Sequence, residues 1–158
     1  MATLIEAVLA DDLDAVKALL AGGSKPDDEV DEEGRTPLLN AAIDGKIEIA
    51  RALIQAGAGV DFRDGLGNTA LHYAAQEYRP EVSRTLLDAG ATVDLEDIHG
   101  NSPLWRAVFH SRGRGDLIEI LLAAGADRGR RNKRGKSPLD LARTIANDDV
   151  IRFFGEET

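Results

Sequence analysis

Apolar residues recur along this chain at two periods. Leu38, Ala41 and Ala42 lie at helical spacing, and the same grouping returns further along. The segments Leu53-Ile-Gln-Ala, Leu86-Leu-Asp-Ala and Leu121-Leu-Ala-Ala are apolar helical stretches, each followed by Gly-Ala. Val60-Asp61-Phe62-Arg63 and Val93-Asp94-Leu95-Glu96 instead alternate apolar and polar, as hairpin arms would. The first ten residues are apolar but interrupted by Glu6 and followed by Asp11, Asp12 and Asp14, which predicts an amphipathic first helix and not a signal peptide.

The helix starts carry their own signals. Thr36, Thr69, Ser102 and Ser137 are good N-caps, and Pro37, Pro103 and Pro138 follow them at the first helical position, where a missing N–H costs nothing. Gly57, Gly90 and Gly125 stand where left-handed residues close a helix.

These signals repeat in register. Gly34-Arg-Thr-Pro-Leu-Leu-Asn-Ala-Ala, Gly67-Asn-Thr-Ala-Leu-His-Tyr-Ala-Ala, Gly100-Asn-Ser-Pro-Leu-Trp-Arg-Ala-Val and Gly135-Lys-Ser-Pro-Leu-Asp-Leu-Ala-Arg align at spacings of 33, 33 and 35. The Gly-Ala pairs at 57, 90 and 125 keep the same step, and Leu19-Leu-Ala-Gly-Gly is a degenerate first copy. These residues closely resemble the ankyrin repeat, whose pattern runs Asp-x-x-Gly-x-Thr-Pro-Leu-His-x-Ala-Ala, then Gly, Leu-Leu and Gly-Ala. The resemblance runs from about Leu4 to Phe154. Only one copy keeps Leu71-His72-x-Ala-Ala, and it carries Ala70 for the proline and Tyr78 where the preceding copy has Gly45. Leu39, Trp105 and Asp140 hold the His position elsewhere.

The resemblance implies an all-α repeat fold, an ankyrin-repeat solenoid of helix-turn-helix units with β-hairpin-like fingers. One unit cannot bury its own apolar face, so units must stack and be capped at both ends. A single domain over 1–158 is expected, with an N-terminal cap over 1–30, repeats over 31–63, 64–96 and 97–131, and a C-terminal cap over 132–158. In that cap Val150, Ile151, Phe153 and Phe154 are expected to plug the last interface, with a tail too polar to pack.

Composition narrows the function. Aromatics are only 4% of the chain, which suits a core of Ala, Leu, Ile and Val between close helices. There are no cysteines, so thiolate chemistry and Cys-ligated zinc are excluded. The formal net charge is −9, which argues against non-specific binding to nucleic acid or anionic membranes, and no stretch suits a membrane span. A cytoplasmic monomer is expected. His72 occupies the family's structural position beside Thr69, while His99 and His110 lack the spacing of a ligand set. No carboxylate pair, hydrolytic triad or phosphate loop stands out, so neither enzyme activity nor a metal or cofactor is expected.

The charge is uneven. Residues 1–97 hold 20 Asp/Glu against 8 Lys/Arg, a net of −12, whereas residues 98–158 hold 8 against 11, a net of +3. The first finger is the acidic run 27–33 and the last is the basic run 128–136, which a linear stack would place at opposite ends. Such a gradient would orient a charged partner during encounter.

In ankyrin proteins the variable contacts come from finger tips and inner helices. Here that implies Glu32, Glu33, Arg35, Leu66, Asn68, Ile98, His99, Asn101, Lys133, Arg134 and Lys136 on the fingers. On the inner helices it implies Asp44, Tyr73, Gln76, Glu77, Trp105, Arg106, Phe109 and His110. Tyr73, Trp105, Arg106 and Phe109 are of types enriched in binding hot spots. Binding is the favoured role of Tyr73 and Phe109, whereas Trp105 is open between inter-repeat packing and contact. The two-residue insertion in His110-Ser-Arg-Gly-Arg-Gly-Asp116 is expected to be a neutral length variant, since lengthening a loop costs little, with a partner contact as the alternative. A protein-binding module is therefore expected, resembling immunity or antitoxin partners of secreted toxins. The alternatives are nucleic-acid contact through Arg130, Arg131, Lys133 and Arg134, or a scaffold with no inhibitory role.

Overall fold

The structure, a computed structural model, describes residues 2–145 and 149–155; of the expected polar tail at 155–158, residues 156–158 lie outside them. Nine α-helices and one closing 3-10 helix are present among the described residues, and no strand. They are α1 (Leu4–Leu9), α2 (Leu13–Ala21), α3 (Pro37–Asp44), α4 (Ile47–Gln55), α5 (Ala70–Gln76), α6 (Pro80–Asp88), α7 (Pro103–Phe109), α8 (Asp116–Ala123) and α9 (Pro138–Thr144), followed by the 3-10 helix Val150–Phe154. The odd-numbered helices form one row and the even-numbered helices a second, each helix packing on its neighbours within and across the rows. The result is a linear stack whose acidic first finger and basic last finger lie at opposite ends.

The starts of the first-row helices are set by side chains. Thr36, Thr69 and Ser102 accept the N–H of the residue three further on at 3.3 Å, and Ser137 does so at 3.0 Å. The first-row helices from α3 on bury Leu-x-x-Ala-type stripes, with Leu38, Ala41, Ala42, Ala74, Leu104 and Ala107 fully inaccessible. Small alanines let these helices approach more closely than the longer second-row helices do, so the stack curves toward the first row.

Cations close some helices from outside the unit. Lys46 Nζ donates to the Val8 and Leu9 carbonyls at the end of α1, and Arg79 Nε donates to the Ile43 carbonyl near the end of α3 at 3.1 Å. Each satisfies carbonyls at a helix C-terminus, where positive charge is favoured.

Two departures from a regular repeat meet at one place. Gly45 is left-handed at φ 71°, and Tyr78 in the matching turn is held at φ 54°, a conformation that disfavours a side chain by about 1–2 kcal/mol. Its ring is buried, its hydroxyl donates to Asp116 Oδ1 at 2.8 Å and accepts from Leu117 N–H at 3.4 Å, and the Arg114 guanidinium lies 3.8 Å from the ring centre. Arg114 is itself held by the Ser111 and His110 carbonyls at 2.8 and 3.2 Å. The insertion is thus not a neutral length variant: its longer turn builds the seat for the Tyr78 ring. Burial and the bond to Asp116 push the Tyr78 hydroxyl far above its ordinary pKa, so it stays a donor.

At the far end Val150, Ile151 and Phe154 are buried and Phe153 packs partly against the core, covering α8 and α9. Gly115 admits the Phe153 ring, since a Cβ there would stand 2.2 Å from it.

Candidate interaction surface

Each finger is built on one side chain. Asp31, Asp64, Asp97 and Asn132 use Oδ1 to accept the N–H groups two and four residues on, at 2.8–3.0 Å. The backbone reverses there through a bond from the N–H of each to the carbonyl four residues on. This is a hairpin-like tip without a ladder. The alternating segments behind it do not pair as arms. Their aspartates instead bridge units, Asp61 accepting Thr92 N–H at 2.8 Å and Asp94 accepting Asp127 N–H at 3.0 Å. Successive tips are joined by Ile98 N–H to the Leu66 carbonyl and Lys133 N–H to the His99 carbonyl, both at 3.0 Å.

The other carboxylate oxygen of each of the three finger aspartates meets the first-row helix nine residues on. Asn40 Nδ2 donates to Asp31 at 3.0 Å, the Tyr73 hydroxyl donates to Asp64, and Arg106 donates to Asp97 at 2.6 Å. Burial pushes the Asp31 carboxyl up, but the hydrogen bonds from Arg35 and Asn40 outweigh it and bring it to about 2. Burial also works against ionised Asp97, and the bonds from Arg106, Asn101 and His99 still hold it below the usual carboxylate range. Arg106 reaches further, donating to Asn68 Oδ1 at 2.6 Å and Gln76 Oε1 at 2.9 Å. It therefore ties α7 to its own finger, to the preceding finger and to α5.

His72 lies in the same layer. It is fully buried, with Nδ1 beside Thr69 N–H at 3.2 Å and Thr69 Oγ1 at 2.9 Å, while Nε2 faces the Asn101 carbonyl at 2.9 Å. A ring that accepts at Nδ1 and donates at Nε2 satisfies both contacts only when neutral. Burial pulls it down to about 4 despite the bond to Asn101.

The residues expected at the surface divide into two groups. Glu32 and Glu33 are exposed, Arg35 pairs with Asp31 at 2.8 Å and Glu33 at 3.0 Å, and Asp44 lies 3.3 Å from Lys46 Nζ. Leu66 and Ile98 are 57% and 44% exposed on adjoining tips, and His99, Lys133 and Arg134 are exposed beside them. Glu77 is exposed and accepts from half-buried Gln76 at 3.1 Å. Two residues sit elsewhere than expected. Asn68 is only 4% exposed because Asp64, Tyr73 and Arg106 engage its amide, and the Arg106 side chain is 13% exposed because its donors are turned inward. Tyr73 is half-buried, with its hydroxyl used by the framework.

Trp105 and Phe109 stack on one face of α7, ring centres 5.4 Å apart and 11° from parallel, and His110 meets Phe109 edge-on at 5.0 Å. Trp105 is half-buried, its indole N–H buried with no hydrogen-bond partner among the described residues, whereas Phe109 is 56% exposed. Two clefts flank this stack. One, of about 290 Å³, is lined by His99, Asn101, Trp105, Asn132, Lys133 and Arg134; the other, of about 410 Å³, by Gln76, Glu77, Tyr78, His110, Arg112 and Arg114. Tyr78, Arg112, Arg114 and Asn132 are the lining residues missing from the expected surface. Two arginines in a Gly-rich turn just past an aromatic helix were the available signal.

Among curated proteins the comparison found no match. A family model described as ankyrin repeats (3 copies) matches residues 4–97, and one described as ankyrin repeat matches residues 99–133. With capped helix pairs, Asx-built fingers and a shared apolar interior under those same residues, the chain belongs to the ankyrin-repeat family.

Proposed function

We propose that this chain binds a partner protein across the curved face formed by its fingers and first-row helices, as a cytoplasmic monomer that inhibits what it covers, in the way of an immunity protein. Ankyrin repeats are protein-interaction modules, and the fold supplies a face of the right kind. One observation carries the assignment. Of the five large apolar side chains that are exposed among the described residues, Leu66, Ile98 and Phe109 belong to this face. Apolar groups left in water and gathered on one side are the mark of an interface, whereas single ones are not.

The charge layout is what supports the inhibitory reading. The acidic half of the chain would cover a basic site on the partner, while the stack holds its shape on its own through the Asp–helix bonds. The nucleic-acid reading has less support, because Arg130 pairs with Glu96 at 2.8 Å and Arg131 donates to the Gly135 carbonyl at 2.9 Å. We also divide the chain into an N-terminal cap, three full repeats and a C-terminal cap, as the spacing of the finger glycines suggests.

Cross-linking in the source cell followed by mass spectrometry would name the partner, and variants would then locate the face. Phe109→Ala with Ile98→Ser should weaken binding by about tenfold or more, as loss of a hot-spot anchor does. Arg84→Glu, on the exposed side of α6, should leave it unchanged. The reverse result would refute the assignment of the face, and a partner whose activity is unaltered by saturating chain would refute inhibition.

A further inference from the structure

The chemistry of the segment that would seat on α7 can be read from the cations around the aromatic stack, granted that the curved face is the binding face. Most basic residues at this end are already engaged. Arg106 is buried in its network, Arg114 is bonded to two carbonyls, Arg128 donates to the Phe154 carbonyl, and Arg130 and Arg131 have partners. Lys133 and Arg134 in one cleft and Arg112 in the other are exposed, and none makes an ion pair or side-chain hydrogen bond among the described residues. The two clefts are joined by the Trp105–Phe109–His110 stack, with Trp105 lining the first and His110 the second. Free cations therefore stand at both ends of an apolar patch, in a molecule that is otherwise strongly acidic.

We propose that the partner presents here an acidic segment with an apolar residue at its centre, the apolar side chain covering Phe109 and carboxylates on either side reaching Lys133 and Arg134 at one end and Arg112 at the other. The spacing sets the register. Seven residues of α7 span roughly 10 Å at about 1.5 Å per residue, and an extended chain covers about 3.3 Å per residue, so the two acidic positions stand about three residues apart. Guanidinium groups favour carboxylates through paired N–H donors, and Phe109 supplies the apolar contact that a polyanion alone would not use. The same segment would be repelled by the fingers nearer the N-terminus, so the charge gradient gives the bound partner one orientation: acidic toward the fourth finger, basic toward the first.

Trp105 is the only tryptophan in the chain, so its emission reports occupancy of this site directly. The probes are a capped decapeptide with Leu at the centre flanked by Asp and Glu, the same peptide with Lys for each acid, the same peptide with Ser for Leu, and a single-stranded oligothymidylate. Fluorescein-labelled peptides read by anisotropy follow the variants. The acidic Leu peptide should give a saturable change in Trp105 emission, and the Ser peptide should bind about tenfold more weakly. Phe109→Ala and the pair Lys133→Glu with Arg134→Glu should each weaken the acidic peptide about tenfold, and raising salt from about 50 to about 300 mM should weaken it several-fold. All the altered residues are exposed, and unchanged far-UV circular dichroism confirms that each variant is folded.

Tighter binding of the oligothymidylate, or no saturable change with the acidic peptide up to about 1 mM, would overturn the proposal. So would a lysine peptide that binds as tightly as the acidic one. If that lysine peptide still depended on Phe109, the curved-face assignment would survive while the acidic chemistry failed. Acidic-peptide binding indifferent to Phe109 would count against both.

Discussion

The buried histidine of the second finger–helix layer makes stability depend on pH in a stated window. His72 is held neutral, its Nδ1 beside Thr69 and its Nε2 on the Asn101 carbonyl of the next unit, and burial brings its pKa from 6.5 to about 4. Between these values the unfolded chain binds a proton that the folded chain refuses, so stability rises with pH there. It is complete above the unfolded value and is lost as pH falls toward the folded one. Protonating the ring would turn the Nδ1 acceptor into a donor facing the Thr69 N–H. With a proton refused by roughly 2.5 pH units, linkage gives a loss of about 2 kcal/mol by pH 5 and about 3 kcal/mol by pH 4. His110 is also pulled down, by burial and by Arg106, and adds a loss of the same sign.

Urea unfolding followed by circular dichroism at half-unit steps from pH 7.5 to about pH 4.5 measures the slope. In a His110→Gln background the remaining slope over pH 5–6.5 should average about 1 kcal/mol per pH unit, most of the value for one proton. Replacing His72 by Gln should lower stability at pH 7 and flatten that slope nearly to zero. A His72→Gln chain that keeps the full slope would refute the reasoning, since the refused proton would then belong to another group.

Other perturbations probe the framework. Arg106→Ala leaves the Asp97 carboxylate, whose side chain is 1% exposed, without its counter-charge and should cost about 3 kcal/mol in urea unfolding. Adding Asp97→Asn should return part of that loss, because the orphaned charge is gone. Tyr78→Gly removes a left-handed side chain yet should destabilise by about 2 kcal/mol, since the lost ring packing outweighs the relieved strain; a higher melting temperature would refute the role of the insertion as its seat. Gly115→Ala places a methyl 2.2 Å from the Phe153 ring and should cost about 1–3 kcal/mol while speeding hydrogen exchange at 150–154.

The fold was legible because its determinants are local. A hydroxyl before Pro-Leu, a glycine after Leu-Leu and a 33-residue step, lengthened once to 35, fix where helices begin, end and recur, and each cap appears where those residues stand. The expected hairpin arms at 60–63 and 93–96 were not realised as strands, because Asp61 and Asp94 spend their carboxylates on the next unit's backbone. The candidate surface was legible mainly at its tips, and on the helices at Glu77 and Phe109. That Glu32, Leu66, Ile98 and Lys133 face solvent follows from their place on a projecting turn. That Asn68 and Arg106 do not depends on a bond between residues 38 positions apart, which one unit's pattern cannot contain. The nine-residue step from each finger aspartate to Asn40, Tyr73 or Arg106 was present in the sequence, but its meaning needs the finger folded over the helix. Tyr78 and the insertion were each visible as irregularities, while their pairing required the neighbouring turn in place.

The loss of Arg106 from the contact surface makes the remaining contacts more specific. Its three acceptors lie on α5 and two fingers, so α7 cannot tilt without breaking charge-assisted bonds in a half-buried setting. Trp105 rests on that fixed helix, and Phe109 is displayed on Trp105, so the apolar anchor is ordered before any partner arrives. Covering it removes apolar area from water at little entropic cost, for about 1–2 kcal/mol. Lys133, Arg134 and Arg112 are the opposite kind of group, long, hydrated and unpaired, and each must be ordered on contact. A rigid anchor governs how long a complex lasts, whereas exposed charges govern how fast it forms and how steeply salt opposes it. Phe109→Ala should therefore act on dissociation and Lys133→Glu on association, and a surface whose two halves failed to separate in this way would not be arranged as the Arg106 network requires.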